Sequence, residues 1–289
     1  MGKKLTFRIT LSEAQELIPE YKFLNALSPS AQKAAFHVQD PSSGIELCVK
    51  IISPDYEPVR LQREILAMQQ IDNKNVAKLK QYEFSTKEGH SRHFLVEEFV
   101  NGEDLEDFIQ RSTDLSRETV ADLFAQICDG LEALRINNIV HRDLKPRNIR
   151  VKPNNSPVII DFGLARHLSL PDATRTSEGA AIGTPLYFAP EQWKGDKHDI
   201  DHRTDLFALG IMLYEALVRE HPFMPVAVAK GISLSDAICF TEDFLSHKQF
   251  LALPDSWKII LSRLLKKERS HRPKSASQVA SIFRKIRSL

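Results

Sequence analysis

The chain has 289 residues, enough for one large domain or two lobes around a sizeable core. Its 39 basic and 38 acidic side chains give a formal net charge of +1, without the electrostatic signature of a nucleic-acid or membrane-surface protein. Three widely spaced cysteines, Cys48, Cys128 and Cys239, exclude a disulfide framework and metal-site spacing and fit a reducing, cytoplasmic setting.

In chain order, Met1 to Glu20 alternates polar and apolar residues, shows no secretory signal and is read as an N-terminal extension. Met1-Gly2-Lys3-Lys4-Leu5-Thr6 fits the loose myristoylation pattern, for which a frayed terminus is the plainer reading. Ile45 to Ile52 alternates as a strand, with Ile45, Leu47, Val49 and Ile51 on one face and Cys48 and Lys50 on the other. Pro58 to Ile71 has helical spacing, with Leu61, Ile65, Met68 and Ile71 on one stripe. Glu64 falls within that stripe, and a carboxylate there needs a charged partner. Lys50 is the obvious candidate, and Arg60 the surface alternative.

Phe94 to Gly102 is expected to be a last strand running into a hinge. Val120, Leu123, Phe124, Ile127, Leu131 and Leu134 mark a helix, and Leu206 to Val218 is apolar nearly all round, as in a helix buried within a helical lobe. That run is too short for a bilayer, which takes ~20 residues, so no transmembrane segment is expected. Ile259, Ile260, Leu264 and Leu265 continue the helical pattern.

Between these elements lie His141-Arg142-Asp143-Leu144-Lys145-Pro146-Arg147-Asn148, then Val158-Ile159-Ile160 delivering Asp161-Phe162-Gly163, then Ala189-Pro190-Glu191. In that order they resemble the protein kinase family, specifically its Ser/Thr branch, from about Tyr21 to Ser288. The resemblance implies an α+β, bilobal kinase-like fold in residues 21–289. It has a small β-rich N-lobe (about 21–98), a hinge (about 99–104) and a larger α-helical C-lobe (about 105–289).

It also implies ATP with magnesium, or manganese in its place, and transfer of the γ-phosphate to protein Ser/Thr hydroxyls. Asp143 would orient the hydroxyl, Lys145 would place charge on the moving phosphoryl group, and Asn148 and Asp161 would hold the metal. Lys50 would contact the α- and β-phosphates and Glu64 would hold Lys50. Backbone groups near Glu98 and Val100 would bind adenine, and Asp104 ribose, although an acidic residue at a helix start can equally be a cap. Asp205 would accept from the catalytic-loop backbone, Glu191 would pair with Arg272, and Thr184 would bond Asp143 and Lys145. Arg142 before the aspartate implies a switch by phosphate on Thr174, Thr176 or Ser177, with Thr176 first. Partners would be protein substrates and a separate regulatory protein, with no nucleic acid.

Several positions depart from the family pattern. Leu27 to Phe36 replaces the glycine-rich loop, placing Ser28, Ser30 and Lys33 near the phosphates if Ala35 stands for the usual valine. Lys33 would contribute charge or stay exposed. Cys48 replaces an alanine above adenine, Glu97 falls at the gatekeeper, and Arg150 at the adenine floor. Arg150 is expected to stack under the purine, with Glu97 on Arg150 or Lys50; the alternative is an alignment slip or an outward rotamer that keeps one of them in water. Arg147 stands where arginine-seeking kinases have glutamate, which argues against a preference for arginine immediately upstream of the target. The altered loop and pocket keep a pseudokinase or nucleotide-sensing scaffold as the alternative, and an aminoglycoside-type small-molecule kinase as a remoter one.

Overall fold

A computed structural model describes residues 7–27, 33–54, 58–87, 90–112, 115–162, 185–195 and 200–287, with the side chains of 58–60, 63–64, 85–87 and 90–91 left aside. The chain divides between Asn101 and Gly102 into two units.

The first unit opens with α1 (Leu11–Leu17), which Thr10 starts through a capping box. The Thr10 hydroxyl accepts from Glu13 N at 3.2 Å and the Glu13 carboxylate accepts from Thr10 N at 2.7 Å, satisfying two otherwise orphaned N–H groups. Strands β1 (Lys22–Ala26), β2 (Lys33–Gln39), β3 (Glu46–Ile52), β4 (Leu79–Lys87) and β5 (His90–Glu98) form an antiparallel sheet in the order β1-β2-β3-β5-β4. Helix α2 (Pro58–Gln69) links β3 to β4.

Strand alternation splits the sheet residues between two faces. Ala34, Phe36 and Val38, Leu47, Val49 and Ile51, and Phe94 and Val96 form one apolar face, which α1 covers with Ala14 and Ile18. Phe7, Ile9, Leu17 and Tyr21 pack at its margin. The Gln15 side chain fastens this helix to β1, donating to Tyr21 O and accepting from Phe23 N. The segment read as an extension thus contributes to the core of the first unit.

Ile45 is a correction. It is 58 % exposed, because the turn closed by Asp40 extends through it and the strand begins one residue later. In α2 the expected stripe is buried at Leu61, Ile65 and Met68, with Ile71 just beyond the helix end.

The second unit is mainly helical. Strand β6 (Glu103–Asp104) leads into α3 (Leu105–Arg111) and α4 (Arg117–Ile136). A 3-10 turn at Pro146–Asn148 precedes β7 (Ile149–Val151) and β8 (Pro157–Ile159), which join β6 in a three-stranded sheet. Beyond it come α5 (Pro190–Lys194), α6 (His202–Val218), α7 (Met224–Lys230), α8 (Leu234–Phe240), α9 (Lys248–Leu251), α10 (Asp255–Leu264) and α11 (Ala276–Arg287).

Helix α6 is the centre of this unit, buried from Thr204 to Tyr214, as its uniform apolarity predicts. Gly210 lets α10 approach, since a Cβ there would lie 2.8 Å from Leu264 Cβ. The expected α4 stripe is buried throughout, and Phe124 meets Phe283 of α11 edge-on. Ile259 faces outward at 58 % exposure, whereas Ile260, Leu264 and Leu265 are buried. The sheet-rich first unit and helical second unit match the α+β architecture expected from the sequence. Among the described residues, no helix is long and apolar enough to cross a membrane.

Candidate active site

In the second unit the segment from His141 to Asn148 is held from three sides. From below, Asp205 of α6 accepts from His141 N at 2.8 Å and from Arg142 N at 2.9 Å. Burial pushes the Asp205 carboxyl up, opposed by the nearby His141 and Arg142 and their backbone N–H groups. From α5, Gln192 donates to Arg142 O at 2.8 Å. From the end of β8, Ile160 N donates to Asn148 O at 2.9 Å, and a His141 ring nitrogen lies 3.1 Å from Ile160 O. Arg142 and Asp161 both hold left-handed backbone, φ 63° and 64°. For side chains of this size such conformations are uncommon and persist where surrounding bonds fix them.

Three polar side chains converge within this frame. Lys145 Nζ donates to Asp143 Oδ2 at 2.7 Å. The Asn148 amide donates to Asp143 O at 2.7 Å and Asp143 Oδ2 at 3.3 Å. With its nitrogen engaged by Asp143, Asn148 has its amide oxygen left as the atom that could ligate a cation. Asn148 and Asp161 are hard oxygen donors, which suits a divalent metal completing its shell with phosphate oxygens and water. Phe162, next to Asp161, is 2 % exposed and anchors that turn in the core.

The expected pairing of Glu191 with Arg272 is present. Arg272 grips Glu191 bidentately, Nη1 to Oε1 at 2.6 Å and Nη2 to Oε2 at 2.8 Å. Its other donors reach Lys266 O, Arg203 O and Lys267 O, so all five guanidinium N–H groups have acceptors. Burial pushes the Glu191 carboxyl up, but Arg272 and the Thr204 hydroxyl outweigh it and hold it below the ordinary value. Beside this pair Lys267 Nζ lies 3.9 Å from the Phe223 ring centre, without a hydrogen-bond partner among the described residues, and burial lowers it to about 7.

In the first unit Lys50 Nζ contacts Glu97 Oε2, and both side chains are 3 % exposed. Of the two partners expected for Glu97, Lys50 is therefore one it meets; the Glu64 side chain, and any bridge from it to Lys50, lies outside the described residues. Ala35 lies opposite Lys50, and Cys48, half-buried, opposite Glu97. Lys33 is 7 % exposed, which corrects the alternative that it merely faces solvent: its position on β2 carries it inward. Val100 is buried, and Glu98 N donates to Lys78 O at 2.9 Å.

Asp104 realises the capping alternative, accepting from Asp107 N at 2.9 Å at the start of α3. Arg150 donates to Gly102 O and lies near Glu103, which Arg111 also engages. Gly102 is required here, since at φ +153° a Cβ would meet Val151 O at 2.2 Å. Ser28, Ser30, Thr174, Thr176, Ser177, Thr184 and Gly163 lie outside the described residues.

Sequence reading missed three contacts. Tyr187 OH donates to Glu215 of α6 at 2.9 Å, and burial pushes that carboxyl up to about 7. Arg147 Nε donates to Glu106 of α3 at 2.5 Å. His37 stacks on Phe99 with ring centres 3.6 Å apart. None has a fixed sequence spacing, so no local signal announces it.

Residues 34–283 match the protein kinase domain family. The chain belongs to that family. Among curated proteins it is similar to the serine/threonine-protein kinase drp72 of Corynebacterium efficiens, at 31% identity over 72% of this chain and 41% of the relative. It is likewise similar to the serine/threonine-protein kinase PknA of Corynebacterium glutamicum, at 30% identity over 72% and 45%. Against the serine/threonine-protein kinase PknB of Mycolicibacterium smegmatis the identity is 37% over 47% of this chain and 22% of the relative. The matches thus span less than half the length of each of these relatives.

Proposed function

We propose that this chain is a protein serine/threonine kinase that moves the γ-phosphate of magnesium-bound ATP to hydroxyls of protein substrates. The observation that carries it is the convergence of Asp143, Lys145 and Asn148, fastened to Asp205 and to Ile160 beside Asp161. The printed names of the relatives support the serine/threonine branch.

In the reaction the substrate oxygen bonds to the γ-phosphorus while the bond to the β-phosphate oxygen breaks and ADP leaves. Asp143 accepts the hydroxyl proton and, earlier, aligns that oxygen for in-line attack, so most of its contribution is positioning. Lys145, already on Asp143, supplies positive charge beside the transferring group. Magnesium, held through Asn148 and Asp161, would neutralise charge on the phosphates. Lys50 holds the phosphates that are not transferred. Backbone groups at Glu98 and Val100 take the adenine edge; Ala35, Cys48 and Arg150 line the base, and Asp104 contacts ribose if it leaves its capping bond.

To Thr184 we assign the bond to Asp143 and Lys145 that the family resemblance implies, and to the Glu191–Arg272 pair the anchoring of the activation segment. Phosphate on Thr176, Thr174 or Ser177 switches the loop through Arg142. Because Arg147 is positively charged and already paired with Glu106, substrates with arginine immediately upstream of the target gain nothing there.

Transfer of label from γ-labelled ATP to a generic basic protein tests the reading. Wild type should give signal, and Asp143→Ala should lower it by about 10³-fold or more while nucleotide still binds. Equal signals from the two proteins would remove the enzymatic claim. Mass spectrometry after incubation with ATP should find phosphate between Leu164 and Gly183; none there would end the switch.

A further inference from the structure

The sheet face turned away from α1 carries a buried charge pair that the kinase reading does not require. Strand register places Lys50 opposite Leu95 and Cys48 opposite Glu97, so Lys50 and Glu97 are diagonal neighbours on β3 and β5. Their side chains meet, each 3 % exposed. Both backbones are locked by the antiparallel ladder, whereas Glu64 is carried on a separate helix.

We infer that Glu97 is the positioning residue that holds Lys50 for nucleotide, from within the sheet, so that the lysine keeps its orientation independently of α2. The inference rests on the kinase reading and deepens it. An ammonium this deeply buried needs an anion in reach, and a carboxylate on an adjacent strand supplies one in fixed geometry. The ammonium carries three N–H donors, so its bond to Glu97 does not by itself exhaust them. Lys33 also lies on this face by register and is 7 % exposed.

Titration with a fluorescent ATP analogue and magnesium reads the effect without requiring phosphoryl transfer. Glu97→Gln should weaken affinity tenfold or more, and more than Glu64→Gln does. In a Lys50→Met background the same change should alter affinity by less than threefold, because its target is gone. In turnover, KM for ATP should rise while KM for the protein substrate stays. A folded Glu97→Gln protein that binds within threefold of wild type, or a greater loss from Glu64→Gln, would overturn the inference. If the glutamine variant does not fold, Glu97→Asp takes its place. Its shorter carboxylate should weaken binding several-fold at an unchanged melting temperature, and wild-type affinity there would count against the role. Wild-type protein that binds no nucleotide sinks the kinase reading itself. In that event, a melting cycle of Lys50→Met and Glu97→Gln still tests the pair, and additive effects would refute it.

Discussion

Single buried charges carry sharp expectations. Arg272 and Glu191 are each other's compensation, and truncating either strands the other in the core. Arg272→Ala should therefore cost about 3–5 kcal/mol, read by urea unfolding. Glu215 and His221 give opposite pH slopes. Burial raises the Glu215 carboxyl from 4.5 to about 7, so the folded protein keeps its proton and its contribution is fully present below 4.5 and is lost as pH rises through 7. His221, lowered by burial from 6.5 to about 4, contributes fully above 6.5 and loses stability as pH falls toward 4. Glu215→Gln keeps an acceptor for Tyr187 but removes the first slope. Relative to wild type it should gain up to roughly 3 kcal/mol between about pH 5 and about pH 8. A difference that stays flat with pH would show that Glu215 is not the titrating group.

At the scale of elements, α1 is the part whose loss should be felt most. It covers the apolar face built by Phe36, Val49, Phe94 and their neighbours. Removing residues 1–20 should cost about 3–6 kcal/mol, the burial of a few large side chains. It should also expose a surface that binds hydrophobic dyes; unchanged melting and dye binding would mean the helix contributes nothing. Elements with a strong period were legible from sequence: α4 and α6 announced themselves, and α2 did so to within two residues. Helix α1 was not, because its apolar positions are interleaved with glutamates and its docking depends on strands far along the chain. The start of β3 was misread for a related reason: Ile45 continues the alternation, but turn bonds from Asp40 and Ser43 claim its backbone first.

For the whole molecule, legibility followed chemistry. The Asp143 loop, the Asp205 brace and the Glu191–Arg272 clasp were readable because each rests on motif residues. The partner of Glu97 stayed open between two cations, since only strand register decides which one it meets. Nucleotide binding should report on the assembled protein. Magnesium and ATP at about 100 times Kd should stabilise it by ~2.7 kcal/mol, and chelating the metal should abolish most of that shift. Asn148→Ala together with Asp161→Asn should remove the metal dependence; a full shift in that variant would place the cation elsewhere.

The helix at Leu11–Leu17 leaves the ribosome well ahead of Phe94 and Val96, the strand residues that complete its binding surface. Translation at about 5–20 residues per second puts several seconds between the two events. During that interval Ala14 and Ile18 have no finished surface to settle on. Synthesis of this protein therefore includes a vulnerable interval, and slowing elongation before β5 should increase the fraction captured by chaperones.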